Sequence, residues 1–363
     1  MSAFSGRRRS TIALARAGAR RLQDLGTGPL IWFIIAVVGI WWAIAITDKF
    51  IVGLVLGSII ALGALGLTLI FGVLKFAHFA HGDAMMLGAY IAFFALTGRI
   101  VGERADRDVE LPWSLDHLPG ATTPIWEFSF GYGLLLTIPV AAVAMALLFL
   151  VLDRLIYRPL RNRGSGVVIF AIASLGVALA IRSTMLMFWG STLRFYVKGI
   201  RPTSSFLGER VVNDQFFIFG VAVSLMALLY LLLFRTKLGK AMRAMADNPD
   251  LALISGINTQ QIVMWTWAIG GALVAVAGVL LALQAQLKPE LGFALLLPLF
   301  AATILGGIGS PQGAFVGAMV VGVVQEVAVT PDFLSAGYKF SVAFVILVLV
   351  LLIRPTGLFG ARG

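Results

Sequence analysis

The chain has 363 residues, 60% of them hydrophobic and 12% charged, with a net charge of +11 and a mean hydropathy of +0.96. An ordinary soluble domain carries about 25% charged residues, so the composition excludes one and describes an integral membrane protein, whose basic excess marks cytosolic loops rather than a nucleic-acid surface. The absence of cysteine excludes disulfides, thiolate chemistry and cysteine-held metal or redox centres.

Residues 1–28 form a basic tail, with Arg7, Arg8, Arg9, Arg16, Arg20 and Arg21 against Asp24 alone, expected in the cytosol against anionic membrane lipid. Apolar runs follow at 30–46, 51–72, 77–98, 131–152, 166–189, 215–234, 262–284, 293–309, 312–329 and 338–353. Several reach the roughly 20 residues a helix needs to cross about 30 Å of hydrocarbon. None has the alternating polarity of an outer-membrane barrel strand. The expected fold is therefore all-α: a polytopic helical bundle of about ten transmembrane or re-entrant helices over 29–355, with a short C-terminal tail at 356–363. The first run ends in Ala43-Ile44-Ala45, which resembles a signal-peptidase site, so cleavage and retention are both open there.

Loop charges orient the bundle. The 153–165 loop carries Arg154, Arg158, Arg161 and Arg163 against Asp153, and the 235–261 loop carries Arg235, Lys237, Lys240 and Arg243 against Asp247 and Asp250. Loop 99–130 is acidic instead, with Glu103, Asp106, Asp108, Glu110, Asp116 and Glu127. Basic loops inside and the acidic loop outside place both termini in the cytosol, with the basic 190–214 loop as the misfit. The 293–309 and 312–329 runs are short and glycine-rich, so a re-entrant pair is an alternative there. Gly53 and Gly57, Gly306 and Ser310, and Gly313 and Gly317 stand at the spacing that lets helices approach closely in lipid.

Polar residues inside apolar runs are the candidate functional groups. In "LTLIFGVLKFAHFAHGDAMMLGAY", residues 67–90, Lys75, His78, His81 and Asp83 fall at an expected cytosolic turn between two helices. His78 and His81 share a helical face, but Asp83 lies about 140° and 200° around from them. A regular helix cannot aim all three at one ion, so no metal is assigned. The cluster reads as a polar helix start lining a pathway, with a proton relay through the two histidines as the competing reading. Arg182 is a true intramembrane charge; it must pair or face water, and Glu326, at comparable depth, is its expected partner. Ser174 and Gln284 are further candidate pathway-lining residues.

The 235–258 loop, "RTKLGKAMRAMADNPDLALISGIN", predicts a short helix with Met242, Met245 and Ala246 on one side and a break at Asn248-Pro249. Exposed methionines on such a helix would suit a docking surface. No GxxxxGK[ST] sequence occurs, and Gly239-Lys240-Ala241 lacks the hydroxyl that would hold magnesium, so the chain carries no P-loop of its own. The histidines are His78, His81 and His117, and no GxSxG elbow accompanies them. No catalytic residue and no cofactor are assigned, and the reading is of a non-enzyme.

Three stretches resemble one family, the inner-membrane permease subunits of ABC importers for branched-chain amino acids. They are "LGLTLIFGVLKFAHFAHGDAMMLGAY" around Phe79 to Gly82, "LGKAMRAMADNPDLALISGINTQQI", and "LGGIGSPQGAFVGA", and the resemblance covers roughly residues 50–355. It implies a multi-pass permease in the bacterial inner membrane, moving branched-chain or related amino acids. Its implied partners are two cytosolic ATP-binding subunits, a second permease chain, related or identical, and a periplasmic solute-binding protein. Arg243, Ala244, Asp247, Asn248 and Gly256 then resemble the segment that couples the permease to the ATPase. His78 stands where the family pattern would have asparagine, Asp83 where it would have glutamate, and Arg182 where it would have an uncharged polar residue. A cationic wall at Arg182 keeps an acidic or amide-bearing solute open, with urea or short amides as alternative substrates and a proton-coupled secondary transporter as the rival class.

Overall fold

The computed structural model describes residues 47–101, 108–197, 199–206, 208–329, 335–354 and 356–359. The basic tail, the 30–46 run with Ala43-Ile44-Ala45, Glu103, Asp106 and residues 360–363 lie outside the described residues. The helices below belong to one unit, Asp48–Gly363.

Every apolar run from 51–72 onward contains a helix. These are α1 (Thr47–Leu74), α2 (His81–Thr97), α3 (Tyr132–Asn162), α4 (Val167–Trp189) and α5 (Asn213–Arg235). The short α6 (Lys237–Asp247) and α7 (Pro249–Ile254) follow, then α8 (Thr259–Gln284), α9 (Leu291–Gly306), α10 (Pro311–Ala328) and α11 (Lys339–Ile353). Six of them, α1, α3, α4, α5, α8 and α10, are long and apolar enough to cross a membrane. The 16 residues of α9 and 15 of α11 span only about 22–24 Å. Two antiparallel hairpins interrupt the helices: β1 (Arg99–Val101) pairs with β2 (Asp108–Glu110), and β3 (Thr203–Phe206) with β4 (Glu209–Val212).

A helix that is apolar all round must face either a protein interior or hydrocarbon. Here both solutions occur. α1 and α8 are mostly enclosed, whereas α3, α4 and α5 turn Val143, Leu147, Leu175, Leu179 and Leu231 outward, the surface expected of helices solvated by lipid tails. One face of α1 (Val55, Ile59, Leu62, Leu65, Leu69) joins the larger core around α8. Its other face (Ile60, Ala61, Ala64, Leu67) packs on α9 and α10 through Leu299, Ala302, Ala314 and Ala318.

Small residues set these distances, as the spacing predicts. A Cβ on Gly57 would stand 3.0 Å from the Ala318 carbonyl oxygen, and one on Gly53 2.7 Å from the Val323 Cα. Gly278 of α8 lies so close to the Met85 carbonyl oxygen of α2 that a Cβ there would overlap it. Between α9 and α10 the chain turns through Gly307 and Gly309, at φ of 104° and 83°; Ser310 Oγ accepts from Gly313 N–H and Pro311 opens α10.

At the end of the bundle opposite α6 and α7, Asp214 in the first turn of α5 accepts the Ser129 N–H at 2.8 Å and its hydroxyl, which ties the 99–131 loop to α5. Tyr196 donates its hydroxyl to the Ala89 carbonyl at 2.6 Å, and burial pushes its phenol well above the ordinary value.

Candidate functional site

The 75–80 turn is not a simple turn at a helix end. α1 closes at Leu74, with Lys75 at φ 60° and its N–H bonded to the Phe71 carbonyl at 2.9 Å. Phe76, His78 and Ala80 are buried while Lys75, Ala77 and Phe79 are less so, and the segment closes in a turn in which the His81 N–H bonds to the His78 carbonyl at 3.2 Å. His81 Nε2 lies 2.9 Å from the Gly63 carbonyl, eleven residues before the end of α1, or about 16 Å up its axis. α2 therefore starts enclosed within the bundle, beside the middle of α1, with His78, His81 and Asp83 buried rather than at an exposed turn. Hydropathy alone carries no signal for this fold-back.

Around that start, His78 sits in a dry aromatic box. Its Nε2 is 3.0 Å from Tyr157 Oη, and the rings of Trp267, Phe149, Tyr157 and His81 lie within 5.2–5.7 Å of its own. Tyr157 is presented by a π-helical turn, Asp153–Tyr157, inside α3, where Asp153 pairs with Arg161 at 2.7 Å. Sequence reasoning missed Tyr157, Phe149 and Trp267; they read as ordinary members of apolar runs, and only the tertiary fold brings them to His78. The two histidines do not point at a shared ligand with Asp83, and among the described residues no three His, Asp or Glu converge as a metal site. Ser174 Oγ accepts the Phe79 N–H at 3.0 Å, fixing the turn against α4.

Asp83 and Arg182 form the electrostatic centre. Arg182 Nε donates to Oδ1 at 2.9 Å and Nη2 to Oδ2 at 3.0 Å, a bidentate fork. The guanidinium also lies 4.5 Å over the Phe293 ring of α9. The Asp83 side chain is wholly enclosed, while that of Arg182 is 21% exposed. The expected Arg182–Glu326 pair is thus corrected: Arg182 is held by the first turn of α2, and Glu326 pairs with Lys339 of α11 at 2.7 Å. A helix N-terminus favours the carboxylate at Asp83. Gln284 is also apart from the cluster, at the end of α8, where its carbonyl accepts from Arg201 at 3.2 Å. So His78, His81, Asp83, Ser174 and Arg182 gather around the start of α2, while Gln284 and Glu326 stand elsewhere.

The 235–261 segment forms a second site, near the C-terminal end of α1, where Met242, Arg243 and Ala246 line a pocket with Thr68, Leu69, Gly72 and Val73. Thr236 caps α6 by accepting the Gly239 N–H, and Asn248 caps α7 by accepting the Leu251 N–H at 3.0 Å, with Pro249 at its first position, as the Asn248-Pro249 break predicts. The methionine expectation is overturned: Met242 and Met245 are 2% and 7% exposed and pack into the core. The amphipathic α6 turns its apolar stripe inward because that stripe meets α5 and α8. The outward apolar surface is instead on α7, where Leu251, Leu253 and Ile254 are 61%, 59% and 84% exposed beside exposed Asp247, Asn248 and Gly256. Arg243 is half-buried, its guanidinium 4.6 Å over Phe234, and Ala244 is likewise partly covered. Gly256 closes the segment at φ 83°, a conformation that strains other residues.

The sequence profile of the family described as "Branched-chain amino acid transport system / permease component" matches residues 50–353. The high-affinity branched-chain amino acid transport system permease protein BraD of Pseudomonas aeruginosa is 34% identical over 321 residues, covering 85% of this chain and 94% of that protein. The permease protein LivH of Escherichia coli, from a system of the same description, is 31% identical over 320 residues, covering 85% and 93%. More distantly, the ribose import permease protein RbsC of Haemophilus influenzae is 26% identical over 244 residues, covering 62% of this chain and 75% of that one.

Proposed function

The chain belongs to the branched-chain amino acid transport system permease family, and from that premise we propose that it is the permease subunit of an ATP-driven importer of branched-chain or related amino acids. Two cytosolic ATP-binding subunits, a second permease chain and a periplasmic solute-binding protein would complete the complex in the bacterial inner membrane. The observation that carries this reading is α7: three large apolar side chains stand exposed on a six-residue capped helix at the surface of the chain. Such a helix fits a groove in a partner. ATP binding would close the partner dimer, move α6 and α7, and rock the bundle between outward-open and inward-open states. The bidentate Asp83–Arg182 pair supports a neutral or zwitterionic solute over an anionic one, because the arginine charge is already matched.

Two measurements test this. Ile254→Asp removes apolar surface without disturbing packing, so stability should change by no more than about 0.5 kcal/mol, while ATP-binding subunits recovered with the chain should fall about tenfold or more. Unchanged recovery would remove α7 from the coupling role. Uptake of radiolabelled L-leucine into cells carrying the complete system should stop when ATP is depleted by arsenate and persist under a protonophore. The reverse pattern would favour proton coupling, and uptake of urea or short amides without leucine would replace the substrate.

A further inference from the structure

One face of the molecule combines features that lipid does not tolerate. Arg182 is the sixteenth of the 23 residues of α4, well inside an apolar helix, yet a fifth of its side chain reaches the surface of the chain. Below it, Phe293, Leu297, Phe300 and Ile304 follow at helical spacing along α9, all at least partly exposed. Phe79 of the fold-back turn packs on Phe300 at 5.4 Å, and a cavity of about 320 Å³ opens there, walled mainly by apolar residues, Leu67, Phe71 and Leu347 among them, with Thr303 its one polar residue. A charged group at the surface within a membrane-spanning segment faces water or protein rather than hydrocarbon.

The guanidinium has more donors than its partner uses. Asp83 occupies Nε and one edge of Nη2, Phe293 covers a face, and Nη1 has no partner among the described residues. Asp83 is wholly enclosed, so it holds the arginine from behind and leaves the outer edge of the fork forward. Arginine recognises carboxylates through such an edge, whatever its second carboxylate partner.

We propose that Arg182 is the group in this permease that contacts the α-carboxylate of a passing amino acid, that Asp83 and Phe293 are its positioning residues, and that the Leu297, Phe300 and Phe79 wall lines the apolar path the solute follows beyond that contact. The assignment deepens the importer reading and rests on it for the identity of the solute. It places the carboxylate contact beside the start of α2, at mid-depth in the bundle, with an apolar run of about 16 Å of α9 leading toward the α9–α10 turn.

The test uses the complete transporter in cells, with L-leucine as the probe. Arg182→Gln should lower leucine uptake per assembled complex about tenfold or more, the value of a hydrogen bond to a charged group. Asp83→Asn should lower uptake less. The double exchange Asp83→Arg with Arg182→Asp separates positioning from scaffolding: it should restore the amount of assembled complex and leave uptake low. Restored uptake in the double exchange, or wild-type uptake in Arg182→Gln, would overturn the proposal. Should these variants fail to assemble, the wild-type complex in membranes decides. Water-soluble phenylglyoxal should modify Arg182, as it modifies exposed Arg163; modification of Arg163 without Arg182 would mean that lipid or a second permease chain covers the site and would equally overturn the proposal. A wild-type complex that transports no amino acid would instead overturn the importer reading, while the labelling would still report whether Arg182 faces water.

Discussion

Gly278→Ala should destabilise the protein by about 1–3 kcal/mol or more, the cost of overpacking a close contact, although alanine is favoured over glycine within a helix by about 1 kcal/mol. The sign is decided by geometry. Gly278 is the twentieth of the 26 residues of α8, and an added Cβ would overlap the Met85 carbonyl oxygen and crowd the Met85 carbonyl carbon at 2.8 Å. Both are backbone atoms of α2, which cannot rotate away as a side chain could. The neighbouring contact is equally tight, with a Cβ on Gly88 standing 2.6 Å from the Ala275 Cα, so α2 cannot slide along α8 to relieve the clash. Gly82 and Gly292 add a third contact of this type, backbone on backbone between the starts of α2 and α9. Helical glycines with open space around them provide the control: Gly176→Ala in α4 and Gly220→Ala in α5 should be neutral or stabilising by up to about 1 kcal/mol. Thermal unfolding of the purified variants in detergent measures all three. A stable Gly278→Ala would mean that α2 and α8 do not meet as closely as described.

Asp83→Ala should be the most damaging single side-chain change at the start of α2, costing about 3 kcal/mol, the lower end of what breaking a buried ion pair costs. The lower end applies because Arg182 keeps 21% of its side chain exposed and can recover part of its solvation, whereas Asp83 is completely enclosed. Two interactions are lost together: the bidentate fork to Arg182, and a carboxylate in the first turn of α2, where the helix dipole favours negative charge. Asp83→Asn keeps an acceptor and should cost clearly less. Glu326→Gln, at the Lys339 pair between α10 and α11, changes a separate contact, and combined with Asp83→Ala its effect should add. Equal stability of Asp83→Ala and the unmodified protein would show that Arg182 finds another partner.

Much of the fold is legible in the sequence, because hydrocarbon allows only helices of a certain length and apolarity to cross it. The runs beyond residue 50, the glycine spacing that joins α1 to α10, the Pro311 break and the Asn248-Pro249 cap all follow from local chemistry. What is not legible depends on pairings distant in the chain. Arg182 finds a partner 99 residues away because α2 folds back beside α1, and depth arguments alone pointed to Glu326. His78 is boxed by Phe149, Tyr157 and Trp267 from two other helices. For Met242 and Met245 the pattern specified an amphipathic helix and left open which face meets the bundle; the docking surface moved to Leu251, Leu253 and Ile254, in a stretch too short for periodicity to speak.

If this chain works as the membrane half of an ATP-driven complex, gentle purification of the tagged chain from its native membrane should bring its partners with it. ATP-binding subunits and a second permease chain recovered with it, the ATP-binding subunits falling about tenfold or more when Ile254 is replaced by aspartate, are the predicted result. An intact, folded chain recovered alone would contradict the account.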